Sequence, residues 1–382
     1  MEKRITYLLF LLVVLLVGCG NKNRAVVQKY STTISVESNL KSIKGNSIQI
    51  DPTVFNRMNT PPEDLIADLK KANINSIHFM VANYWDGSKN DDLFKPKYLQ
   101  ALKDNGISAW IMLLGNVFYG STPLPKEWEM EFLSPYPGIS SYSFHHDDFV
   151  EWQVNRTKRI LENYDFVGVE FAESYFPEWK TVDKKGFYGD VSDYARKKFT
   201  KEYLGLNVPV FSFDKIRADP KLYKSWQDFR VDAVVNFNKK IKEAVKSTNE
   251  STLFASWGIG IRGGSLGELR EHFALDMPRI VEEVSPDVFF IQTASQDWGN
   301  SNLRSNFMHG YEYLRQALIE ANPNVKIGIQ TDIASLSYHN PNVSKRVPQW
   351  WLEFMDESTN IGYYTNTAYE YAFTKLQGIW IK

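Results

Sequence analysis

A closed, eight-stranded (β/α)8 barrel of the α/β class, the TIM barrel, is the fold this sequence predicts, and three features predict it. Short runs rich in β-branched residues alternate with longer segments of helical period, the pattern of a parallel sheet wound by crossover helices. Eight such units fit between residue 46 and the end of the chain with no low-complexity break, over about 335 residues, a length that suits a barrel with loop insertions. No G-x-G-x-x-G turn follows the first run, which counts against an open, doubly wound nucleotide-binding sheet.

The units run in order. SIQID (47–51) is the first strand, and Pro61 and Pro62 open the helix after it, where a first-turn proline forfeits no hydrogen bond. NSIHFMV (75–81) is the second. A helix ended by Asn105-Gly106, a pair suited to a left-handed stop, leads to ISAWIMLL (107–114), the third. DFVGVEFA (165–172), STLFASW (251–257), DVFFIQT (287–293) and VKIGIQT (325–331) follow as fourth to seventh, and NIGYYTN (360–366) is read as the eighth. Helices are expected over 148–163, about 221–247, 266–284, 302–321 and 348–356, with 368–376 closing the ring. Two long stretches without helical period, 115–147 and 174–189, follow strands three and four. They belong to the face where the strands end, and long irregular loops in a compact domain are usually functional.

Before the barrel lies a different kind of sequence. Lys3 and Arg4 precede an apolar run over 7–17 that ends in Gly18 and Cys19, a charged start, a short apolar core and small residues at the cut, as in a signal peptide over 1–18. The ending LVGC resembles the bacterial lipobox. That resemblance implies that Cys19 becomes the lipidated first residue and holds the protein outside the cytoplasm, on a bacterial membrane at the cell surface or in the periplasm. Residues 19–45 are polar and lack sustained periodicity, which reads as a flexible tether, so the catalytic domain is expected over 46–382.

Composition excludes several functions. Cys19 is the only cysteine, so the mature chain has no thiolate pair for zinc or a disulfide and no nucleophilic thiol. With 44 basic and 45 acidic residues the net charge is −1, which gives no electrostatic footprint for nucleic acid and points to a neutral partner. Aromatic residues make up 14% of the chain, including 11 Trp and 20 Tyr, rings that serve either a large core or the faces of sugars.

Barrel enzymes carry their working groups at the carboxyl ends of strands. Strand four reads VGVEFAESYFPEW. Side chains alternate along a strand, so Glu170 and Ala172 share a face, and Glu173 falls where the strand turns into its loop and can reach over the mouth. Gly168 leaves room beneath. Glu170 and Glu173 are both catalytic candidates; Tyr175, Phe176, Pro177 and Trp179 would surround Glu173 with apolar surface and raise its pKa toward general-acid duty, the alternative being that Glu170 or Glu173 only pairs with a neighbouring Lys or Arg.

The stretch GVEFAESYFP resembles the strand-four signature of bacterial barrel glycoside hydrolases, and is more distantly similar to the E-x-x-N-E pattern of clan A, the large retaining superfamily. Two departures stand out: Ala172-Glu173 where the first pattern has two acids, and Glu173-Ser174 where clan A has Asn-Glu. The resemblance implies glycoside hydrolysis, which normally needs one protonated carboxyl for the leaving oxygen and one ionised as nucleophile or base. Clan A places the second as Glu at the end of strand seven; here KIGIQTDIAS offers Asp332. Strand six ends IQTASQDWGN and offers Asp297 beside Trp298 as the competing choice.

The other strand ends are polar and aromatic in the manner of a sugar cleft: Asn83 and Trp85 after strand two, Asn116 after three, Tyr175 after four, Trp257 after five, Tyr364 and Asn366 after eight. The repeated IQT would bring the amides of Gln292 and Gln330 into the mouth. Arg262, in the glycine-rich loop IGIRGGSLG after strand five, is within reach of a substrate. FHHDDF, with His145 and His146, is read as a helix start capped by Asp147, with no metal, because adjacent histidines point apart. No cofactor is implied. No G-x-S-x-G elbow supports an esterase. The rival readings are a saccharide-binding barrel lipoprotein without catalysis and a polysaccharide lyase or deacetylase, and the sequence leaves the oligomeric state open.

Overall fold

The computed structural model describes residues 35–53, 56, 59–90, 92–134, 138–176, 187–294, 297, 300, 302–332 and 348–369. Cys19, the signal peptide, Pro177, Trp179 and Trp298 lie outside the described residues.

Eight parallel strands close into a barrel: β1 (Gly45–Ile50), β2 (Ile74–Val81), β3 (Ser108–Leu114), β6 (Gly168–Ala172), β7 (Leu253–Ile259), β8 (Val288–Gln292), β9 (Lys326–Asp332) and β10 (Thr365–Tyr369). β10 pairs with β1 to complete the ring. Seven of these strands match the expected runs to within a few residues; most are apolar segments that the closed sheet buries on both faces, while β1, GNSIQI, is a mixed run. The eighth does not match. Residues 348–360 form one helix, Pro348–Asn360, and the strand begins only at Thr365, so the polar run TNTAY takes the place expected for NIGYYTN. Residues 368 and 369, expected to start a closing helix, are the end of that strand.

The stretch read as tether also contains structure. Val36–Ser42 is a helix, α1, whose N-cap Ser35 accepts the Ser38 N–H. Its Asn39 amide donates to the Ser251 carbonyl at 2.8 Å, its Leu40 carbonyl accepts from the Tyr364 hydroxyl at 2.8 Å, and Ser42 bonds the Ser108 hydroxyl at 2.6 Å. All three partners stand at the amino ends of strands, so α1 covers the bottom of the barrel and the folded body begins at Ser35.

The outer layer is helical. The longest helix, α7 (Pro220–Thr248), starts with Pro220 in its first turn and Asp219 as N-cap, accepting from the Lys221 and Leu222 N–H groups. It packs against α4 (Asp147–Asn163). Asp147 is the first residue of α4, not its cap: His146 holds the cap position with no side-chain bond, and Asp147 instead pairs with Lys198 at 2.8 Å. The segment expected as one helix over 266–284 is two, Leu266–Phe273 and Met277–Val284, interrupted by the left-handed Ala274. A capping box between Ser265 and Glu268 starts the first of these.

Two insertions shape the mouth. After β3 a short hairpin rises, β4 (Val117–Tyr119) paired antiparallel with β5 (Ile139–Ser141). After β6 the helices Asp193–Lys198 and Phe213–Ala218, with the start of α7, bury a small core of their own around Phe199, Ile216 and Trp226.

Candidate active site

Strand β6 presents two acids to opposite purposes. Gly168 lies against the ring of Trp110, where a Cβ would sit 2.5 Å away, so the expected space beneath the acids is filled by that indole. Glu170 points into the closed barrel and is fully buried. Its Oε2 lies 2.8 Å from His78 Nδ1 and its Oε1 accepts from the Gln330 amide at 2.6 Å. Gln330 in turn accepts from Trp257 Nε1 at 2.8 Å, and His78 stacks on Trp110 with ring centroids 5.1 Å apart. Four strands are tied together by this network, and every one of those polar atoms has a partner, as burial requires.

Glu173 ends the strand differently. The backbone turns there with φ of +52°, in the left-handed region, which costs a residue with a Cβ roughly 1–2 kcal/mol. Neighbouring contacts hold the turn. The Gly115 N–H donates to the Ala172 carbonyl at 2.7 Å, and a Cβ at Gly115 would overlap Ser174, so the loops after β3 and β6 touch backbone to backbone. Strain of this kind, maintained by its surroundings, is common at functional sites. The carboxyl of Glu173 is buried, and its one hydrogen-bond partner among the described residues is the Tyr119 hydroxyl, at 3.3 and 3.5 Å from its two oxygens. Burial away from water raises its pKa to about 7, while the phenol acts in the opposite direction.

Tyr119 is the residue that sequence reading missed. It stands on the hairpin, 38% exposed, with its N–H donating to the Ala82 carbonyl at 3.1 Å, so the hairpin joins the end of β2 to the end of β6. Nothing in its spacing signals this contact. His78 did leave a signal: a histidine inside the apolar run SIHFMV requires a partner, and the inward register of β2 supplies Glu170.

The remaining candidates separate into three groups. At the mouth, exposed Asn83 lies beside Gly120 at the hairpin, and half-buried Gln292 stands in register with Gln330. Gln330 itself is deeper, committed to Glu170 and Trp257. A second group is structural. Trp85 packs on Phe94 and Tyr164 and donates to the Ser88 carbonyl, the buried Asn116 amide fixes the loop base by donating to the carbonyls of Tyr142 and Tyr175, and Tyr175 stacks on Trp257 with both rings buried. None of these rings is a sugar platform on an open surface. Two positions fall away from the mouth. Tyr364 precedes β10 and binds α1 at the bottom of the barrel, and Asn366, near the start of the same strand, bonds Asn46 at 2.9 Å; both were expected at the mouth because the eighth strand was placed about five residues too early.

The two candidate second carboxyls also part. Asp332 is the last residue of β9, three strands around the ring from β6; its side chain lies outside the described residues. Asp297 is buried with both oxygens engaged, Oδ1 by Arg262 Nε at 2.9 Å and Oδ2 by the Tyr311 hydroxyl at 2.7 Å. Both oxygens of Asp297 are thus already bonded within the protein. His145 and His146 separate as adjacent residues should: His145 is buried against Phe229 with centroids 3.9 Å apart, and His146 stacks on Tyr194. Burial, with Lys198 and Arg230 nearby, holds His145 well below the ordinary histidine pKa.

No family model matches the chain, and no curated protein matches it. Solved structures do. The glycoside hydrolase domain of PgaB (BpsB) from Bordetella bronchiseptica is similar with a TM-score of 0.64 at 14% identity, over 88% of this chain and 98% of that one. Gan42B, a GH42 β-galactosidase from G. stearothermophilus, is similar with a TM-score of 0.57 at 12% identity, over 86% of this chain and 51% of that one. A β-galactosidase from the psychrophilic Marinomonas ef1 gives 0.53 at 10% identity, over 85% and 54%. At these identities the likeness is one of fold, a closed eight-stranded parallel barrel that these solved structures share.

Proposed function

We propose that the protein hydrolyses a glycosidic bond of a saccharide outside the cytoplasm, with Glu173 as general acid/base and Asp332 as nucleophile or base. The observation that carries this reading is the state of Glu173: a carboxyl at the end of strand four, buried, facing a single phenol, with a pKa near 7. An acid of that pKa is largely protonated below neutrality and can give its proton to a leaving oxygen as the C–O bond breaks. With Asp332 as nucleophile a glycosyl–Asp332 bond forms and Glu173 then takes a proton from the water that hydrolyses it; with Asp332 as base the water attacks directly and its proton goes to Asp332. Asp332 stands at the end of β9 and is the remaining acid of the pair, since Asp297 is consumed by Arg262 and Tyr311. The barrels of known glycoside hydrolases support the same assignment at the level of fold.

A screen of nitrophenyl glycosides and natural glycans against the fragment from Lys22 onward tests the reaction. Release of reducing ends that disappears in both Glu173→Gln and Asp332→Asn supports it; binding without turnover in the unaltered protein makes the barrel a saccharide-binding module instead. Among the described residues no helix is long and apolar enough to cross a membrane. The attachment proposed from the LVGC sequence is a lipid on Cys19, and labelling of the wild type but not of Cys19→Ala by a fatty-acid analogue is the expected result.

A further inference from the structure

The loops after β7 and β8 restrain a cation more tightly than the hydrolytic step requires. Arg262 follows β7 by three residues, and its aliphatic stem lies against Gly310, where a Cβ would overlap it. The Gly263 N–H donates to the Gly310 carbonyl at 2.9 Å and fixes the loop on that side. Arg262 Nε donates to Asp297 Oδ1 at 2.9 Å. Asp297, with a side chain only 4% exposed, is itself held by the Tyr311 hydroxyl at 2.7 Å, and that hydroxyl accepts from the Ala294 N–H at 2.7 Å. Arg262 nonetheless keeps 46% of its side chain exposed. With Nε bonded to a buried acid, the two Nη nitrogens have no hydrogen-bond partner among the described residues.

The buried Asp297 carboxylate needs a cation, and Nε alone supplies it, which leaves both Nη nitrogens of Arg262 beyond what that pairing uses. The packed stem and the Nε contact fix the plane of the guanidinium on the loop that follows the carboxyl end of β7. Its Nη edge is a planar fork that matches a carboxylate or sulfate in a two-point contact, and orienting it in advance removes the cost of ordering it on binding. We propose that Arg262 is a specificity-determining residue that reads an anionic substituent on the saccharide, a uronate carboxylate or a sulfate ester, with Asp297 and Tyr311 as its positioning residues. The inference rests on the mouth being the saccharide site. It also revises the neutral partner suggested by the overall charge of −1: a near-zero total leaves the recognition of an anion to one placed group. Because Asp297 partly offsets the charge of Arg262, the contact depends on geometry as well as charge.

The test is binding, measured with the folded fragment from Lys22 on an array of oligosaccharides in matched sets: uronate-bearing against carboxyl-reduced, and sulfated against desulfated. At least one acidic oligosaccharide should bind tenfold or more tightly than its neutral counterpart, and whether it is the uronate or the sulfate identifies the substituent. Arg262→Ala should abolish that ratio, Arg262→Lys should recover only part of it, and Gly310→Ala, which displaces the arginine stem, should weaken the acidic ligand selectively. Arg262→Lys keeps a cation on the loop and serves where the alanine variant does not fold. Equal binding of acidic and neutral members, a preference that survives Arg262→Ala, or no acidic ligand on the array overturns the proposal. Turnover is not read here, so loss of the hydrolase assignment leaves the result interpretable, and hydrolysis of neutral glycans without acidic preference defeats this inference alone.

Discussion

Glu170 and Glu173 leave the same strand three residues apart and meet opposite environments. Glu170 falls on the inward register of β6 and finds both oxygens engaged, by His78 and by Gln330, in a network that spans four strands. Glu173 falls one residue past the strand, on a left-handed turn, buried but met only by a distant phenol. Saturation fixes a carboxyl in place, whereas burial without partners leaves it with a proton to give. Asp297 belongs with Glu170 in this respect, both its oxygens being occupied, and the contrast is what sets Glu173 apart as the proposed acid.

Exchanging the roles on one strand gives the largest expected effect. Glu173→Gln preserves shape but cannot transfer a proton, so turnover of natural glycosides should fall by about a hundredfold to ten-thousandfold, roughly 3–5 kcal/mol in barrier, with saccharide binding retained. Aryl glycosides with good leaving groups should lose less, and the melting temperature should not fall. Near wild-type hydrolysis would remove Glu173 from the mechanism.

Glu170→Ala should do the reverse. It strands His78 and the Gln330 amide in the interior, and breaking a buried polar pair costs about 3–5 kcal/mol of stability. Chemical denaturation should show that loss. If the variant is instead as stable as the wild type, the network is not what joins the four strands.

The fold was legible in the sequence because most of the strands, buried on both faces, carry their own apolar signature. The eighth, TNTAY, is polar, so the more aromatic NIGYYTN drew the assignment and carried Tyr364 and Asn366 to the wrong end of the barrel with it. Helix α1 was hidden for the same reason: Asn39 and Ser42 are structural through hydrogen bonds to Ser251 and Ser108, which polarity in a short segment does not announce. At the site, position along a strand made Glu173 a candidate, but its burial on the turn after β6 was not readable there. Nor did the sequence show that Arg262, 35 residues upstream, bonds Asp297, or that Tyr119 reaches Glu173, which depends on how a hairpin folds back.

The raised pKa of Glu173 also makes a stability claim with a definite sign. Its folded value of about 7 lies above the ordinary 4.5, so the folded state binds the proton more tightly. The resulting stabilisation is complete below about pH 4.5 and lost as pH rises through 7. Relative to Glu173→Gln, which does not titrate, the wild type should lose on the order of 3 kcal/mol across that window. Parallel unfolding curves for the two proteins from pH 4 to about 8 would contradict the assignment.

Tyr119→Phe is the smallest perturbation and the most specific one. The phenol donates to Glu173 and favours its ionised form, so removing the hydroxyl should raise the pKa of the acid further and move the alkaline limb of kcat/KM, expected near pH 7 in the wild type, to higher pH. A single hydrogen bond of this length is worth about 1 kcal/mol at most, so the change in rate at the optimum should stay within roughly fivefold, and the fold, in which Tyr119 is an exposed hairpin residue, should be unaffected. A limb that moves to lower pH would mean that the hydroxyl serves the protonated acid instead. A limb that stays where it was would mean that Glu173 is not the titrating group, and the contrast between the two glutamates would then describe packing alone.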